Sequence, residues 1–119
     1  MLSRASRLKT KKDIERVLAR GKFFKEDFLI LKIIENTLPG NRFGLIVSKK
    51  VSKKAVIRNK IKRRLRAIIA KKNKKLKKGA DILLIACPGQ EAKNFLETDE
   101  TINKIFTKAK LFNAYELDS

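Results

Sequence analysis

The first regular pattern of hydrophobic and polar positions, near the start of the chain, has the period of an α-helix. Apolar residues recur at the spacing of one helix face between positions 14 and 18. Thr10 and Asp13 stand in front of them as a capping box, and Gly21 follows as a stop. The pattern predicts a helix over about Lys11–Arg20.

Three apolar runs predict β-strands. The first, Phe28–Ile34, is almost continuous and is broken only by Lys32. Turn residues at Leu38–Asn41 follow it, which makes Arg42–Ser48 its natural hairpin partner. The third strand, Ile82–Ala86, lies between Gly79 and a Pro-Gly pair.

Between the second and third strands, the residues from Lys53 to Lys72 predict a long helix with two different faces. Its apolar face consists of Ile57, Ile61, Leu65, Ile68 and Ile69, and its opposite face consists of Asn59, Lys62, Arg63 and Arg66. A last amphipathic helix is predicted over about Asp99–Phe112, with Thr98 as its cap. This order of elements favours an α/β or α+β sandwich containing one βαβ crossover, for which the general expectation is a right-handed connection.

Composition adds a strong positive charge to this picture. The 119 residues include 31 Lys or Arg, 12 Asp or Glu and no His, for a net charge of +19. Residues 49–78 hold 16 of the 31 basic residues and no acidic one. We therefore expect a single domain, 1–119, with a polyanionic partner.

The same composition narrows the chemistry. With no His, neither Ser-His nor Cys-His nucleophilic machinery is possible. The one cysteine, Cys87, excludes an intrachain disulfide and a multi-cysteine zinc site, and we expect an inert thiol there. No export signal and no apolar run of membrane-spanning length is visible, so a cytoplasmic location is expected.

Three ligands could meet the basic side of the long helix. A membrane-surface helix would favour an exposed stripe with aromatic residues, which this Ile-rich stripe lacks. Double-stranded DNA would favour a helix-turn-helix or a basic region with heptads, and neither is visible. A folded RNA, contacted through its backbone, fits the basic face best. No membrane or DNA partner is expected.

The residues at this helix resemble a known family. Ser48-Lys49-Lys50, followed by the run from Ala55 to Arg66 with its Arg-Asn-x-x-Lys-Arg-x-x-Arg spacing, closely resembles the signature of the bacterial ribonuclease P protein component. Supporting matches are Arg7-Leu8, Gly21, Arg42-Phe43-Gly44-Leu45 and Gly79-Ala80-Asp81-Ile82.

The resemblance implies an α+β fold and a role in RNA processing. The fold would be an α/β sandwich in αβββαβα order, with a small, mostly antiparallel four-stranded sheet, three helices and a left-handed crossover. The protein would assist a catalytic RNA in removing the 5′ leader from precursor tRNA, and that RNA would hold most of the Mg²⁺. No catalytic or metal-binding residue is expected on the protein.

The resemblance also implies two groups of site residues. The catalytic RNA would be bound by Lys49, Lys50, Arg58, Asn59, Lys62, Arg63 and Arg66. The leader would lie in a cleft formed by Arg7, Ile14, Leu18 and Phe28. Members of the family typically carry aromatic residues where this chain has Ile14 and Leu18, so leader contact would rest more on Phe28, apolar packing and charge. The alternative is that Ile14, Val17 and Leu18 are simply core.

Two other functions stay open at this point. A general RNA-binding or ribosome-associated basic protein would have the same charge distribution. A self-sufficient metal-dependent nuclease would need clustered carboxylates, and the candidates Asp13, Glu35 and Asp81 are scattered singly along the chain.

Overall fold

The computed structural model describes residues 4–113 of the chain. Its helices and strands are α1 (Lys11–Arg20), β1 (Lys22–Glu26), β2 (Leu29–Glu35), β3 (Arg42–Ile46), α2 (Ala55–Lys72), β4 (Ala80–Ala86) and α3 (Phe95–Lys108). Short 3₁₀ turns occupy Arg4–Ser6, Asn73–Lys75 and Gln90–Ala92. The predicted α+β class, with four strands and three helices in αβββαβα order, is confirmed.

Helix α1 has the predicted bounds, but only the Thr10 half of the predicted capping box forms, since the Asp13 side chain accepts a hydrogen bond from Arg42 instead. The Thr10 hydroxyl accepts a hydrogen bond from the Asp13 backbone N–H at 3.2 Å, which satisfies one of the free donors of the first turn. Gly21 ends the helix, and its N–H donates to the Val17 carbonyl at 2.7 Å.

The sheet has the strand order β1-β2-β4-β3. β1 and β4 both pair antiparallel with β2, whereas β3 pairs parallel with β4. The sheet is therefore mixed, although two of its three pairings are antiparallel. Strands β3 and β4 with α2 between them form the predicted βαβ crossover, and its left-handed sense stays a prediction.

The predicted hairpin between the first two apolar strands is wrong. The partner of β2 is β1, joined to it through Asp27 and Phe28, and β4 separates β2 from β3. The loop from Asn36 to Asn41 cannot close a hairpin because it is bonded to the segment before β4. Asn36 N–H donates to the Gly79 carbonyl, and the buried Asn41 side chain bonds to Lys77 and Ala80. These contacts keep β2 and β3 on opposite sides of β4.

Helices cover both faces of the sheet. α2 and α3 enclose the larger core, whose side chains include the fully buried Leu84 and Phe106. α1 covers part of the other face through a smaller cluster built on Leu8, Val17 and Leu83. The crossover helix thus has one face in the core and one outside.

Helix α3 begins earlier than predicted. Its cap is Asn94, whose side chain accepts the Glu97 N–H at 2.8 Å while the Glu97 side chain accepts the Asn94 N–H. Thr98, the predicted cap, is buried inside the first turn and bonds to Asn94 and Gln90. The helix also ends at Lys108, so Phe112 lies beyond it.

Candidate RNA interface

One side of α2 carries most of the residues assigned to the catalytic RNA. These are Arg58, Asn59, Lys62, Arg63 and Arg66, which we call the basic helix face. Ile61 and Leu65 on the opposite side are 4% and 0% exposed. Within the basic helix face, Arg58 and Lys62 are half-buried and the other three side chains are exposed. The core therefore holds the helix from behind and leaves its charges available to a ligand.

Arg58 differs from its neighbours because part of its guanidinium is already used. One nitrogen, Nη1, donates to the carbonyls of Ser52 and Lys53 at 3.0 and 2.9 Å. The N-cap residue, Lys54, makes no side-chain cap. Arg58 therefore fixes the loop in front of the helix, and its other N–H groups have no acceptor among residues 4–113, so they can donate to a ligand.

Lys49 and Lys50 lie in the turn between β3 and α2. The Ser48 hydroxyl accepts the Lys50 N–H at 3.3 Å, and the Val51 N–H donates to the Ser48 carbonyl at 3.1 Å. Val51 is buried, whereas both lysines are exposed. The buried Val51 thus fixes the turn, and the turn exposes Lys49 and Lys50 immediately before the helix that carries the basic helix face.

Arg7 lies beside Arg66 rather than beside the other proposed leader residues. Its backbone forms a parallel bridge with Phe43 at the free edge of β3. Together with Lys9 and Arg66 it lines a hollow of about 230 Å³. Its Nε atom is buried and has no hydrogen-bond partner among the described residues. Arg7 and Lys9 thus extend the positive surface of α2.

Ile14 and Leu18 project from α1 onto the sheet. Both are partly buried against the small cluster that contains Leu83, so they belong to the packing of α1 as well as to the edge of any cleft. Phe28 lies elsewhere, against Gly89 and under the Lys93 ammonium, which is 5.2 Å from the ring centroid.

A buried carboxylate joins α1 to the sheet. Asp81 accepts two hydrogen bonds from Arg42, at 2.9 and 2.7 Å, one from Asn36 at 2.8 Å and one from Arg16 of α1. Asp13 of α1 accepts a further bond from Arg42 at 3.2 Å. The network sets the position of α1 over β2 and β4.

The same contacts determine how Asp81 ionises. Burial alone raises the pKa of Asp81, but hydrogen bonds from Arg42 and Asn36 and the charges of Arg42 and Arg16 act against it. The pKa of Asp81 is consequently lowered below its ordinary value. The carboxylate stays charged at neutral pH and fully engaged by its partners.

Two of the three acids considered for a nuclease site, Asp13 and Asp81, are engaged by a basic side chain. Both oxygens of Asp81 accept hydrogen bonds, from Arg42, Arg16 and Asn36, whereas Asp13 accepts one from Arg42. Within residues 4–113, no three His, Cys, Asp or Glu side chains lie together as a metal site. In the same range no helix is both long and apolar enough to cross a bilayer.

Two basic residues of these surfaces are missing from the sequence-based assignments. Lys9 lines the hollow with Arg66, and nothing in its local sequence distinguishes it from other lysines. Lys32 donates to the Leu18 carbonyl at 2.6 Å, at the end of α1. A signal for Lys32 was present, since it is the one charged residue in the apolar run of β2.

Fold and surface together define a small α+β protein built around one helix with an exposed basic face. The chain matches the family model described as Ribonuclease P over residues 2–110. The ribonuclease P protein component of Syntrophomonas wolfei is 39% identical over 120 residues, which cover 99% of this chain and 100% of that one. The component from a Pseudanabaena species is 36% identical over 95% and 98% of the two chains. The structure of the Staphylococcus aureus RNase P protein superposes with a TM-score of 0.85 at 28% identity, over 92% of this chain and 100% of that one.

The chain belongs to the ribonuclease P protein family, the protein subunit of the ribonucleoprotein endonuclease that acts in tRNA processing.

Proposed function

We propose that the basic helix face, with Lys49 and Lys50, binds the catalytic RNA of ribonuclease P. Arginine guanidinium groups bind phosphate oxygens in pairs, and three of the five residues of the face are arginines. The observation that carries the proposal is the division of α2 into a buried apolar side and an exposed cationic side. A rigid helix of this kind suits RNA contacted through its backbone.

The proposal gives the protein a second RNA contact, with the 5′ leader of precursor tRNA. Its site is the part of the sheet beside α1, near Ile14 and Leu18. Arg7 and Phe28, the other residues assigned to the leader, lie beside Arg66 and beside Gly89 respectively. We therefore assign Arg7 to the surface of the catalytic RNA and keep Phe28 as a residue at the far end of the leader path.

We further propose that Mg²⁺ and the hydrolysis step belong to the RNA. Asp81 is a poor candidate for a metal ligand because Arg42, Arg16 and Asn36 engage both of its oxygens. The protein would contribute positive charge that offsets repulsion between the catalytic RNA and its substrate. A cytoplasmic location is part of the proposal, supported by the free thiol of Cys87.

Reconstitution with the cognate catalytic RNA tests this function. The protein alone should cleave nothing, and the complex should process precursor tRNA at lower Mg²⁺ than the RNA alone. Arg63→Ala or Arg66→Ala should weaken binding of the catalytic RNA and lower the slope of log affinity against log salt by about 0.7–0.9 for each lost phosphate contact. Both variants should melt like the wild type.

Two controls make the test specific. Lys104→Ala removes an exposed cation from α3, outside the proposed surface, and should leave RNA affinity unchanged. Leu65→Ala removes a buried side chain of α2 and should cost about 2–5 kcal/mol of stability. If the arginine variants lose as much stability as Leu65→Ala, or if the wild-type protein never changes cleavage at any Mg²⁺ concentration, the proposal fails.

A general RNA-binding role is the alternative, and the substrate separates the two. A ribonuclease P subunit should give its complex a higher affinity for precursor tRNA than for mature tRNA. A general RNA-binding protein should give equal affinities. Equilibrium binding of both tRNAs to the reconstituted complex measures this difference directly.

A further inference from the structure

The face of the sheet that carries α1 is only partly covered by that helix. α1 packs on β2 and β4, whereas β1 lies at one edge of the sheet. Four residues at this uncovered side form a continuous surface, which we call the edge strip: Phe23 and Lys25 on β1, and Ile30 and Lys32 on β2.

Strand register places all four side chains on the same face. Phe23 pairs with Lys32, and Lys25 pairs with Ile30. Lys32 faces α1, since its ammonium donates to the Leu18 carbonyl. Directly opposite residues of an antiparallel pair point to the same side with Cβ atoms about 4.5–5.5 Å apart. Phe24, the next residue of β1, packs against the large core on the other face.

Phe23 is 56% exposed at this position. A single exposed aromatic residue needs no explanation by itself. Here, however, the residue directly across from Phe23 is Lys32, and the next residue on the same face of β1 is Lys25. An aromatic ring flanked by cations is the combination that single-stranded nucleic acid binds, through base stacking and phosphate contact.

The strip is also held in place before any ligand binds. Lys108 of α3 donates to the Lys25 carbonyl at 3.0 Å and forms an ion pair with Glu26. The hydrogen bond from Lys108 lowers the pKa of Glu26, so this tie persists at neutral pH. α3 therefore fixes β1 from behind and leaves the side of Phe23 open.

We propose that Phe23 is the aromatic stacking residue for the single-stranded 5′ leader, with Lys25 and Lys32 contacting its phosphates. The inference rests on the proposed function and refines it. It moves the stacking contact from α1, where Ile14 and Leu18 offer no aromatic ring, to the edge strand across from Lys32. Lys32 has three N–H donors, of which the Leu18 carbonyl takes one, so donors remain for a phosphate.

Phe23→Ala and Phe23→Tyr in the reconstituted complex test the proposal, with Phe95→Ala as the matched control. Phe95 is 47% exposed at the start of α3, outside the edge strip. Phe23→Ala should weaken binding of a precursor tRNA carrying a leader of several nucleotides by about 5- to 150-fold per lost stacked base. Binding of mature tRNA should not change. Phe23→Tyr and Phe95→Ala should both bind like the wild type.

A spectroscopic signal checks the contact itself. With 2-aminopurine scanned through the leader, at least one position should lose fluorescence on binding to the wild-type complex and recover it with Phe23→Ala. If the leader raises the affinity of the wild-type complex and Phe23→Ala keeps that increase, this inference is wrong but the proposed function stands. Equal wild-type affinity for precursor and mature tRNA would overturn the proposed function as well. If Phe23→Ala instead dissociates a dimer in sedimentation experiments and leaves leader affinity unchanged, the residue serves contact between two copies and the inference is wrong.

Discussion

Asp81 is a charged side chain at a position where most proteins place an apolar one. It lies in the central strand β4, next to the fully buried Ile82 and in contact with Arg16 of α1, and its own side chain is 0% exposed. Moving a carboxylate out of water costs several kcal/mol unless hydrogen bonds and opposite charges compensate. Arg16, Arg42 and Asn36 supply that compensation. Asp81 is thus one point at which α1, β3 and β4 are joined.

Asp81→Asn should destabilise the fold by about 2–4 kcal/mol at pH 7, because two guanidinium groups lose their shared counter-charge. The range is moderate because Arg16 and Arg42 retain some access to water. Chemical denaturation measures the loss, and Glu35→Gln, at an exposed acid in β2, is the control with no expected effect.

The pH dependence of this loss has a defined sign. The pKa of Asp81 is lower in the folded state than in the unfolded chain, where it is about 3.9. Its stabilisation is therefore present above that unfolded value and is lost as pH falls through the folded pKa. The stability difference between wild type and Asp81→Asn should shrink in acid. A difference that stays constant from pH 7 to pH 2 would contradict this account.

At the scale of elements, the junction between α1 and β1 depends on the absence of a side chain. Gly21 has φ −67° and ψ 145°, a conformation open to any residue. The constraint is space, since a Cβ at this position would lie 2.4 Å from the Val17 carbonyl oxygen and 3.2 Å from the Ile33 nitrogen. The glycine lets the end of α1 approach the backbone of β2 closely.

Gly21→Ala should therefore cost about 1–3 kcal/mol, the range expected for overpacking. Gly40→Ala is a matched control, because a Cβ there meets nothing within 4 Å. It should be neutral or stabilising by about 0.4–1 kcal/mol through the unfolded state. Thermal melts of the two variants give the comparison, and equal melting temperatures would refute the role given to Gly21.

Sequence patterns predicted the helices and strands themselves far better than they predicted which strands pair with each other. α2 was predictable because the spacing from Ile57 to Ile69 reports one buried face along a long helix. The pairing of β2 was not, since local turn residues cannot reveal that Asn41 is bonded to the segment before β4. β1 is five residues long and alternates too briefly to be recognised alone, so the exposure of Phe23 emerges only from the sheet register.

The whole molecule is compact despite its charge. Its radius of gyration is 13.5 Å, close to the value of about 13 Å for an ordinary domain of 100 residues. A net charge of +19 opposes such compactness through self-repulsion, which is strongest at low ionic strength. The acid-free stretch from residue 36 to residue 80 contains α2, so the repulsion is concentrated on the surface proposed for RNA. Binding of a polyanion there would relieve it.

Small anions that bind this surface should consequently stabilise the free protein. Sulfate at 10 mM or below should raise the melting temperature by about 5 °C, as expected for ligand near ten times its dissociation constant. Sodium chloride at matched ionic strength should give less, because it screens charge without bridging neighbouring cations. The double variant Arg63→Ala/Arg66→Ala should lose most of the additional rise in melting temperature that sulfate gives over chloride, whereas Lys104→Ala should keep it. Equal melting temperatures in matched chloride and sulfate would mean that the repulsion is relieved by screening alone, and that the basic helix face has no anion site of its own.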